Sequence, residues 1–179
     1  MGGAVTLAFG LKYPKMARAL IVAGAGTGSV DAENYRKTWE EHAARMESGG
    51  MRALGDYVRG PARVQLLRKD PEGFEAFADA FFGHSALGSA MTFRGVQARR
   101  PSIFDYKDQL VGLQVPTLIL VGDEDEPCLD PALFMKRHIP HSALVTFPQS
   151  GHAINLEEPE MFNRVILEFL QSVEEGRWA

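Results

Sequence analysis

The sequence predicts an α/β protein, in which helices cover both faces of a short parallel sheet. Two observations carry this prediction. Three short apolar, β-rich runs lack strict alternation, as strands do when both of their faces are buried. Segments with helical periodicity surround these runs, in the order helix, strand, long insert, strand, helix, strand, helix. The 179 residues suffice for one domain with a sizeable core and an insertion.

The amino-terminal segment, "MGGAVTLAFG", predicts a helix that is apolar on nearly every side. Its apolar run continues to Leu11 and ends at Tyr13-Pro14. A helix that is apolar all round belongs in the interior of a protein and not at a hydrated terminus. We therefore expect this helix to be buried.

The predicted strands are residues 18–23 ("RALIVA"), 116–121 ("PTLILV") and 142–147 ("SALVTF"). Between the last two, Asp130-Pro131 offers an N-cap followed by proline at the first helical position, which predicts a helix that ends near Ile139. The last helix carries one apolar stripe, so it must dock on another element. The stripe consists of Phe162, Val165, Ile166, Phe169, Leu170 and Val173.

Residues 30–106 form the insert between the first two strands, and this insert is expected to be helical throughout. Its aromatic stripe comprises Phe74, Phe77, Phe81 and Phe82. This stripe has two readings, packing within the insert or lining of an acyl or aromatic substrate pocket. A block of this size between two strands of one sheet resembles a lid more than a connection. We therefore expect a core of residues 1–29 and 107–179 with a helical cap of residues 30–106.

Composition and charge exclude several classes of function. The net charge of −4 gives no electrostatic reason to expect binding to nucleic acid or to anionic membranes. No apolar stretch approaches the roughly 20 residues that cross a bilayer, and the first residues lack the pattern of a signal peptide. The single cysteine, Cys128, rules out an internal disulfide. The expected localisation is cytoplasmic.

Polar side chains follow the second and third predicted strands. The second strand leads into "GDEDE", which contains Asp123 and Asp125, and the third leads into "SGH", which contains His152. Ligands and catalytic groups of open α/β sheets sit at the carboxyl ends of strands, and neighbouring strands lie about 4.8 Å apart. A carboxylate and an imidazole could therefore meet here. Such a pair supplies two of the three parts of a nucleophile triad.

Three other features have simpler interpretations. Cys128 is close to the acidic cluster, but one cysteine in a loop is usually structural. His138 and His141 lack an acidic or cysteine partner in an arrangement typical of metal sites. Gly24-x-Gly26 follows the first strand, but the dinucleotide-binding pattern departs at its third position. We expect neither a metal site nor a cofactor.

Three segments together resemble the carboxyl-terminal part of an α/β-hydrolase. "VPTLILVGDEDEP" is similar to the acid-bearing strand and loop, "FPQSGHAINLEEPE" to the histidine loop, and "MGGAVTLAFGLKYP" to the end of the nucleophile elbow. The family's elbow is Gly-x-Ser-x-Gly, often continued as Met-Gly-Gly. The resemblance implies the last three parallel strands of the family's sheet, with a cap inserted between the first two. It also implies a chain that starts just after the nucleophile.

The same resemblance implies the site residues. The triad acid would be Asp125, the last residue of Gly-x-x-Asp, with Asp123 as the alternative, and the base would be His152. The backbone N–H of Met1 would be one donor of the oxyanion hole. No cofactor or metal is implied, because triad chemistry uses side chains and water.

Two functions follow as expectations. The first is a serine-type hydrolase of small carboxylic esters or lactones, truncated so that its nucleophile is absent; an aspartate before Met1 would instead imply dehalogenase-like or epoxide-opening chemistry. The second is an inactive fragment or a binding and assembly module. In that case strand 18–23 would present an unpaired edge, for which we predict a homodimer or aggregation.

Overall fold

The structure is a computed structural model that describes residues 1–26 and 32–178. Its strands are Leu20–Ala23 (β1), Thr117–Gly122 (β2) and Ser142–Phe147 (β3). Its α-helices are Gly2–Lys12 (α1), Ala32–Gly49 (α2), Gly55–Val58 (α3), Val64–Lys69 (α4), Pro71–Phe82 (α5), Ala86–Thr92 (α6), Lys107–Val111 (α7), Glu126–His138 (α8), Ile154–Glu157 (α9) and Pro159–Glu174 (α10). Short 3₁₀ turns and one π-helical segment, Phe93–Gln97, complete the described ranges. Across those ranges, none of the helices combines the length and the apolar character that crossing a bilayer requires.

The sheet confirms the predicted fold class. Its three strands are parallel, in the order β1-β2-β3, with Leu20 opposite Thr117 and Thr117 opposite Ser142. The first strand begins at Leu20, two residues after its predicted start, and β2 extends to Gly122, one residue beyond its predicted end.

The central strand explains why the apolar runs do not alternate. Every residue of β2 is buried. Ile119 and Val121 belong to a core that also contains residues of α1, α7 and α8, whereas Leu118 and Leu120 belong to a second core with α10. Helices thus cover both faces of the strand, so both sets of alternate side chains must be apolar.

The last helix has the predicted stripe. Phe169 is buried, and four other residues of the stripe, Phe162, Val165, Ile166 and Val173, pack against the core that contains Leu118. The sixth, Leu170, is 38% exposed, so the prediction is wrong for that position. The predicted start of α8 is wrong. This helix begins at Glu126, with Pro127 in its first turn, and Asp130-Pro131 lies inside it. A proline in the first turn removes no intrahelical hydrogen bond, so Pro127 indicates a helix start as well as Pro131 does.

Two compact units make up the chain, and each has its own core. The first unit is Met1–Thr27 with Ile103–Ala179, and the second is Gly28–Ser102. The described elements of the second unit are all helical, and its core consists of Ala43, Met46, Met51, Leu54 and Ala90. Phe74 is also fully buried, which favours packing for at least that member of the aromatic stripe. The assignment of residues 30–106 as a cap stays a prediction.

The first helix differs from expectation. It buries Gly3, Leu7 and Gly10 but leaves Val5 and Phe9 55% and 41% exposed. The expectation of a helix buried on all sides is therefore wrong for this chain. The buried side approaches the sheet closely, since a Cβ added at Gly3 would lie 2.4 Å from the carbonyl oxygen of Ala23.

Candidate active site

The loops that follow β2 and β3 touch each other through backbone. The amide of Asp123 donates to the carbonyl of Phe147 at 3.0 Å, and the amide of Glu124 donates to that of Ser150 at 2.9 Å. Gly122 makes this approach possible, because an added Cβ there would lie 2.2 Å from the carbonyl oxygens of both Ser150 and Gly151. Any larger residue would separate the two loops.

Asp123 forms a hydrogen bond to the loop that follows β3. Its Oδ1 accepts a hydrogen bond from the backbone N–H of Ser150 at 3.0 Å. Ser150 is buried, and its own hydroxyl donates to the carbonyl of Pro148 at 3.1 Å. The carboxylate of Asp123 therefore acts on the backbone of the loop that carries the histidine.

Asp125 and His152 form the central pair of the site. The distance between Asp125 Oδ2 and His152 Nδ1 is 2.7 Å. The Asp125 side chain is 2% exposed and the His152 side chain 35% exposed, so the acid is enclosed while the imidazole is accessible. A carboxylate accepts the proton of Nδ1–H and leaves the lone pair of Nε2 free to take a proton from another group. The structure thus brings together the two residues predicted as acid and base, and their catalytic roles stay predictions.

Gly24 packs against this pair, a contact that the sequence analysis did not predict. Its φ is +54°, a conformation that favours glycine. A Cβ added there would lie 3.1 Å from Cε1 of His152 and 3.7 Å from Oδ2 of Asp125. The end of β1 therefore reaches the pair, and the glycine that resembled part of a nucleotide motif instead makes room for the imidazole.

The start of α1 lies next to this strand end. Gly3 packs against Ala23, the residue that precedes Gly24. Met1 is the N-cap residue of α1 and is 47% exposed. The proposed oxyanion donor thus stands at the amino end of a helix whose first turn touches β1 one residue before the glycine at His152. Its role as a donor stays a prediction.

Cys128 is also close to the imidazole. It is buried, and its Sγ lies 3.9 Å from His152 Nδ1. Within the described ranges, Asp125, Cys128 and His152 offer ligand atoms that all lie within 4.8 Å of one another. A metal ion bound there would have to displace the proton between Asp125 and Nδ1, so the present arrangement fits proton transfer better than metal binding.

The other two histidines singled out in the sequence have separate partners. His138 Nδ1 donates to the carbonyl of Phe134 at 2.8 Å, and the two rings are 4.2 Å apart. His141 Nε2 is 3.1 Å from Gln114 Oε1. These contacts give each histidine a structural explanation.

Glu157 is a second residue of the site that sequence reasoning missed. It is buried, and its carboxylate accepts hydrogen bonds from the backbone amides of Gly151 and Ala153, the two neighbours of His152. The available signal was its position in "GHAINLEEPE", five residues after the histidine.

The chain is similar to a known protein family over most of its length. A model of the alpha/beta hydrolase family matches residues 1–165. The chain is 30% identical to a proline iminopeptidase of Saccharolobus solfataricus over 96% of this chain, which corresponds to 60% of that protein. The chain therefore spans about 60% of the length of this curated relative.

Two solved structures are similar to the chain. A thermophilic esterase from Thermogutta terrifontis, solved with malate bound, superposes with a TM-score of 0.79 at 30% identity, over 96% of this chain and 62% of that one. MenH from S. aureus superposes with a TM-score of 0.87 at 24% identity, over 96% and 65% of the two chains, and shows likeness of fold alone.

Proposed function

The chain belongs to the alpha/beta hydrolase family, and we propose that it forms the carboxyl-terminal part of a serine-type hydrolase of small carboxylic esters or lactones. The observation that carries this proposal is the 2.7 Å hydrogen bond between the enclosed carboxylate of Asp125 and Nδ1 of the accessible His152. A buried acid that holds one ring nitrogen of an accessible imidazole is the arrangement that general-base catalysis needs.

The proposed mechanism has two stages, acylation of a serine and hydrolysis of the acyl-serine. A serine directly before Met1 attacks the carbonyl carbon while Nε2 of His152 takes its proton. Asp125 remains ionised, holds the imidazole in one tautomer and stabilises the imidazolium. The tetrahedral oxyanion accepts a hydrogen bond from the backbone N–H of Met1, and His152 returns the proton to the leaving group as the bond from the carbonyl carbon to that group breaks. Water, deprotonated by His152, then attacks the resulting acyl-serine, which releases the carboxylic acid and returns the proton to the serine.

The proposed substrate class draws on the relatives. The T. terrifontis structure is named an esterase and the S. solfataricus relative a proline iminopeptidase. Ester and amide hydrolysis both transfer an acyl group to water through the same tetrahedral intermediate, so one set of groups serves both. Esters and lactones are the easier substrates, because their leaving group is an alkoxide rather than an amine.

A fluorophosphonate probe tests this function. The extended chain, defined as a longer form that carries Gly-x-Ser directly before Met1, should be labelled covalently and should hydrolyse p-nitrophenyl acetate. The 179-residue chain should remain unlabelled, as should the extended chain with that serine changed to alanine. Hydrolysis by the 179-residue chain that disappears in His152→Ala would contradict the proposal, since no preceding serine could then be required.

A groove beside β1 favours a second candidate, an assembly module. The groove has a volume of about 640 Å³ and lies between α1, residues 16–20 and α10. Its walls include Val5, Phe9 and Met16, which are 55%, 41% and 73% exposed. Exposed apolar surface around a strand edge is typical of a site that another chain covers.

The edge of β1 could supply the hydrogen bonds for such an assembly. Within the described ranges, β1 pairs with β2 alone. The amides of Leu20 and Gly24 donate toward β2, so alternation turns those of Ile21 and Ala23 toward the other edge. In this alternative the 179-residue chain is inactive and forms a homodimer through residues 18–23.

Light scattering after gel filtration separates the alternatives. A dimer of the 179-residue chain that Val5→Lys converts to monomer would support assembly through the groove. Leu167→Lys is the matched control, because Leu167 is 65% exposed on α10 and does not line the groove. A monomer at all accessible concentrations would contradict the assembly function and would leave the hydrolase proposal unaffected.

A further inference from the structure

We infer that Glu157 is a positioning residue, whose buried carboxylate holds the loop that presents His152. This inference rests on the proposed role of His152 as general base. The proposed action of Glu157 is not on the imidazole itself. It acts on the two peptide groups that flank the histidine.

The contacts of Glu157 are symmetric about His152. Oε2 accepts a hydrogen bond from the amide of Gly151 at 2.6 Å, and Oε1 accepts one from the amide of Ala153 at 3.1 Å. Glu157 is only 6% exposed. Hydrogen bonds to an ionised acceptor are about twice as strong as neutral ones, so this carboxylate restrains the backbone on both sides of the histidine.

The local sequence explains how the carboxylate reaches these amides. Glu157 ends the short helix α9, whose N-cap is Ala153. In a capping box the glutamate three residues after the N-cap turns back to the N-cap amide. Glu157 stands one residue later and makes the same kind of contact with the amide of Ala153. Here the second oxygen extends that contact by two residues to Gly151, so the cap of α9 and the anchor of the histidine loop are the same group.

Glu157 and Asp123 accept hydrogen bonds from different backbone amides of the loop. Asp123 accepts from the amide of Ser150, and Glu157 accepts from the next amide and from that of Ala153. With the backbone held at these points, the imidazole needs only the bond to Asp125 to fix its orientation. A displacement of about 1 Å at a catalytic group can cost roughly a hundredfold in rate, so such anchoring has a catalytic consequence.

The test is Glu157→Gln in the 179-residue chain, with Glu160→Gln as the matched control. The amide side chain keeps one acceptor but turns an NH₂ group toward the other backbone N–H. Glu160 lies in the first turn of α10 and is exposed, so the control makes the same chemical change away from the loop.

Two NMR readouts report on the loop. The first is hydrogen exchange at the amides of Gly151 and Ala153, and the second is the low-field proton on Nδ1 of His152, assigned by its loss in His152→Ala. Glu157→Gln should accelerate exchange at both amides about tenfold or more and should shift or broaden the low-field signal. Glu160→Gln should change neither. An unchanged low-field signal in a folded Glu157→Gln variant would overturn the inference.

A second variant covers the case in which Glu157→Gln does not fold. Glu157→Asp keeps the charge but is one methylene too short to reach both amides, so it should also disturb the low-field signal. A signal identical to that of the parent chain would overturn the inference. The resonances of β2 methyl groups, which should not move, show that the sheet is intact.

Activity of the extended chain separates this inference from the proposed function. Glu157→Gln should lower kcat about tenfold to a hundredfold and leave KM within about threefold, because the residue orients a group that acts in the transition state. If His152→Ala retains full hydrolysis, the proposed function fails, while the two NMR readouts still decide whether Glu157 positions the loop.

Discussion

The two compact units each contain a histidine among buried groups, and the two histidines differ in what faces Nδ1. In the first unit, Nδ1 of His152 is bonded to Asp125. In the second unit, Nδ1 of His42 is buried and has no hydrogen-bond partner in the described ranges. Aromatic rings surround His42 instead, with Tyr57 at 5.3 Å and Trp39 at 5.7 Å between ring centroids.

The difference shows that a nearby acid is not enough to form a hydrogen-bonded pair with an imidazole. Asp56 lies close enough to His42 to raise its pKa, but its Oδ1 is 2.5 Å from the guanidinium of Arg45. Burial, and then the charge of Arg45, outweigh this effect and lower the pKa of His42. In the first unit, Asp125 has the imidazole itself as a partner, because the two loops were brought together at Gly122.

Alanine at each histidine gives the largest expected contrast. In the extended chain, His152→Ala should lower kcat for p-nitrophenyl acetate about 10⁵-fold, since the serine loses its base. His42→Ala should change kcat less than about tenfold, because its Nδ1 has no carboxylate to hold it in one orientation. Steady-state kinetics of the two purified variants measure the contrast. Equal losses would remove the distinction between the two histidines.

Asparagine at each loop aspartate gives the next contrast. Asp125→Asn should lower kcat about 10⁴-fold, because an amide cannot hold Nδ1–H and stabilise the imidazolium in the same way. Asp123→Asn keeps an oxygen acceptor for the amide of Ser150, so kcat should fall less than about tenfold. If the two effects were reversed, the triad acid would be Asp123.

Alanine at Gly122 tests the contact that joins the loops. Its Cβ would clash with two backbone carbonyls, so we expect a loss of about 3 kcal/mol in the free energy of unfolding. Gly112→Ala is the matched control in the same unit, since its Cβ would lie 3.6 Å from its nearest neighbour and Gly112 has an ordinary helical conformation. Urea unfolding measures both. A Gly122→Ala variant as stable as the control would mean that the loops can separate without cost.

The pH dependence of stability gives the smallest effect. The pKa of His42 is lowered from its ordinary value of 6.5, so the unfolded chain takes up a proton there more readily than the folded chain. The stability that neutral His42 provides is therefore complete above about pH 6.5 and declines as the pH falls through the lowered pKa. Thermal unfolding between pH 7.5 and 5 should show this decline, and His42→Leu should reduce it.

The pH range from 7.5 to 5 separates the titration of His42 from that of the carboxyl groups of Asp56 and Glu47. The pKa of Asp56 is lowered by its hydrogen bond to Arg45, and that of Glu47 by its hydrogen bond to Arg94. Stabilisation from these groups is present above their ordinary pKa values of 3.8 and 4.5 and is lost below them. His84→Leu is the control for removal of an exposed histidine. A His42→Leu variant with the parent's full decline between pH 7.5 and 5 would contradict the burial argument.

Local patterns in the sequence were enough to predict the order of elements and the buried sheet. The apolar run of β2 reflects a strand with helices on both faces, and the stripe of α10 reflects a helix with one face on a core. Each pattern indicates burial, because the buried residues of these elements are consecutive or periodically spaced in the sequence. The positions of Asp125 and His152 at the ends of strands followed from the same reasoning, whereas their expected roles came from the resemblance of three motifs to hydrolases.

Tertiary structure alone decided which groups meet. Asp125 and His152 are 27 positions apart, and they meet because β2 and β3 pair in one register and because Gly122 lets their loops touch. The approach of Gly24 to the imidazole has the same kind of origin. The exposure of Val5 on α1 likewise depends on what lies beside the helix. Apolar composition and periodicity describe how much of a residue is buried, whereas hydrogen bonds and close approaches depend on distances between segments that no local pattern encodes.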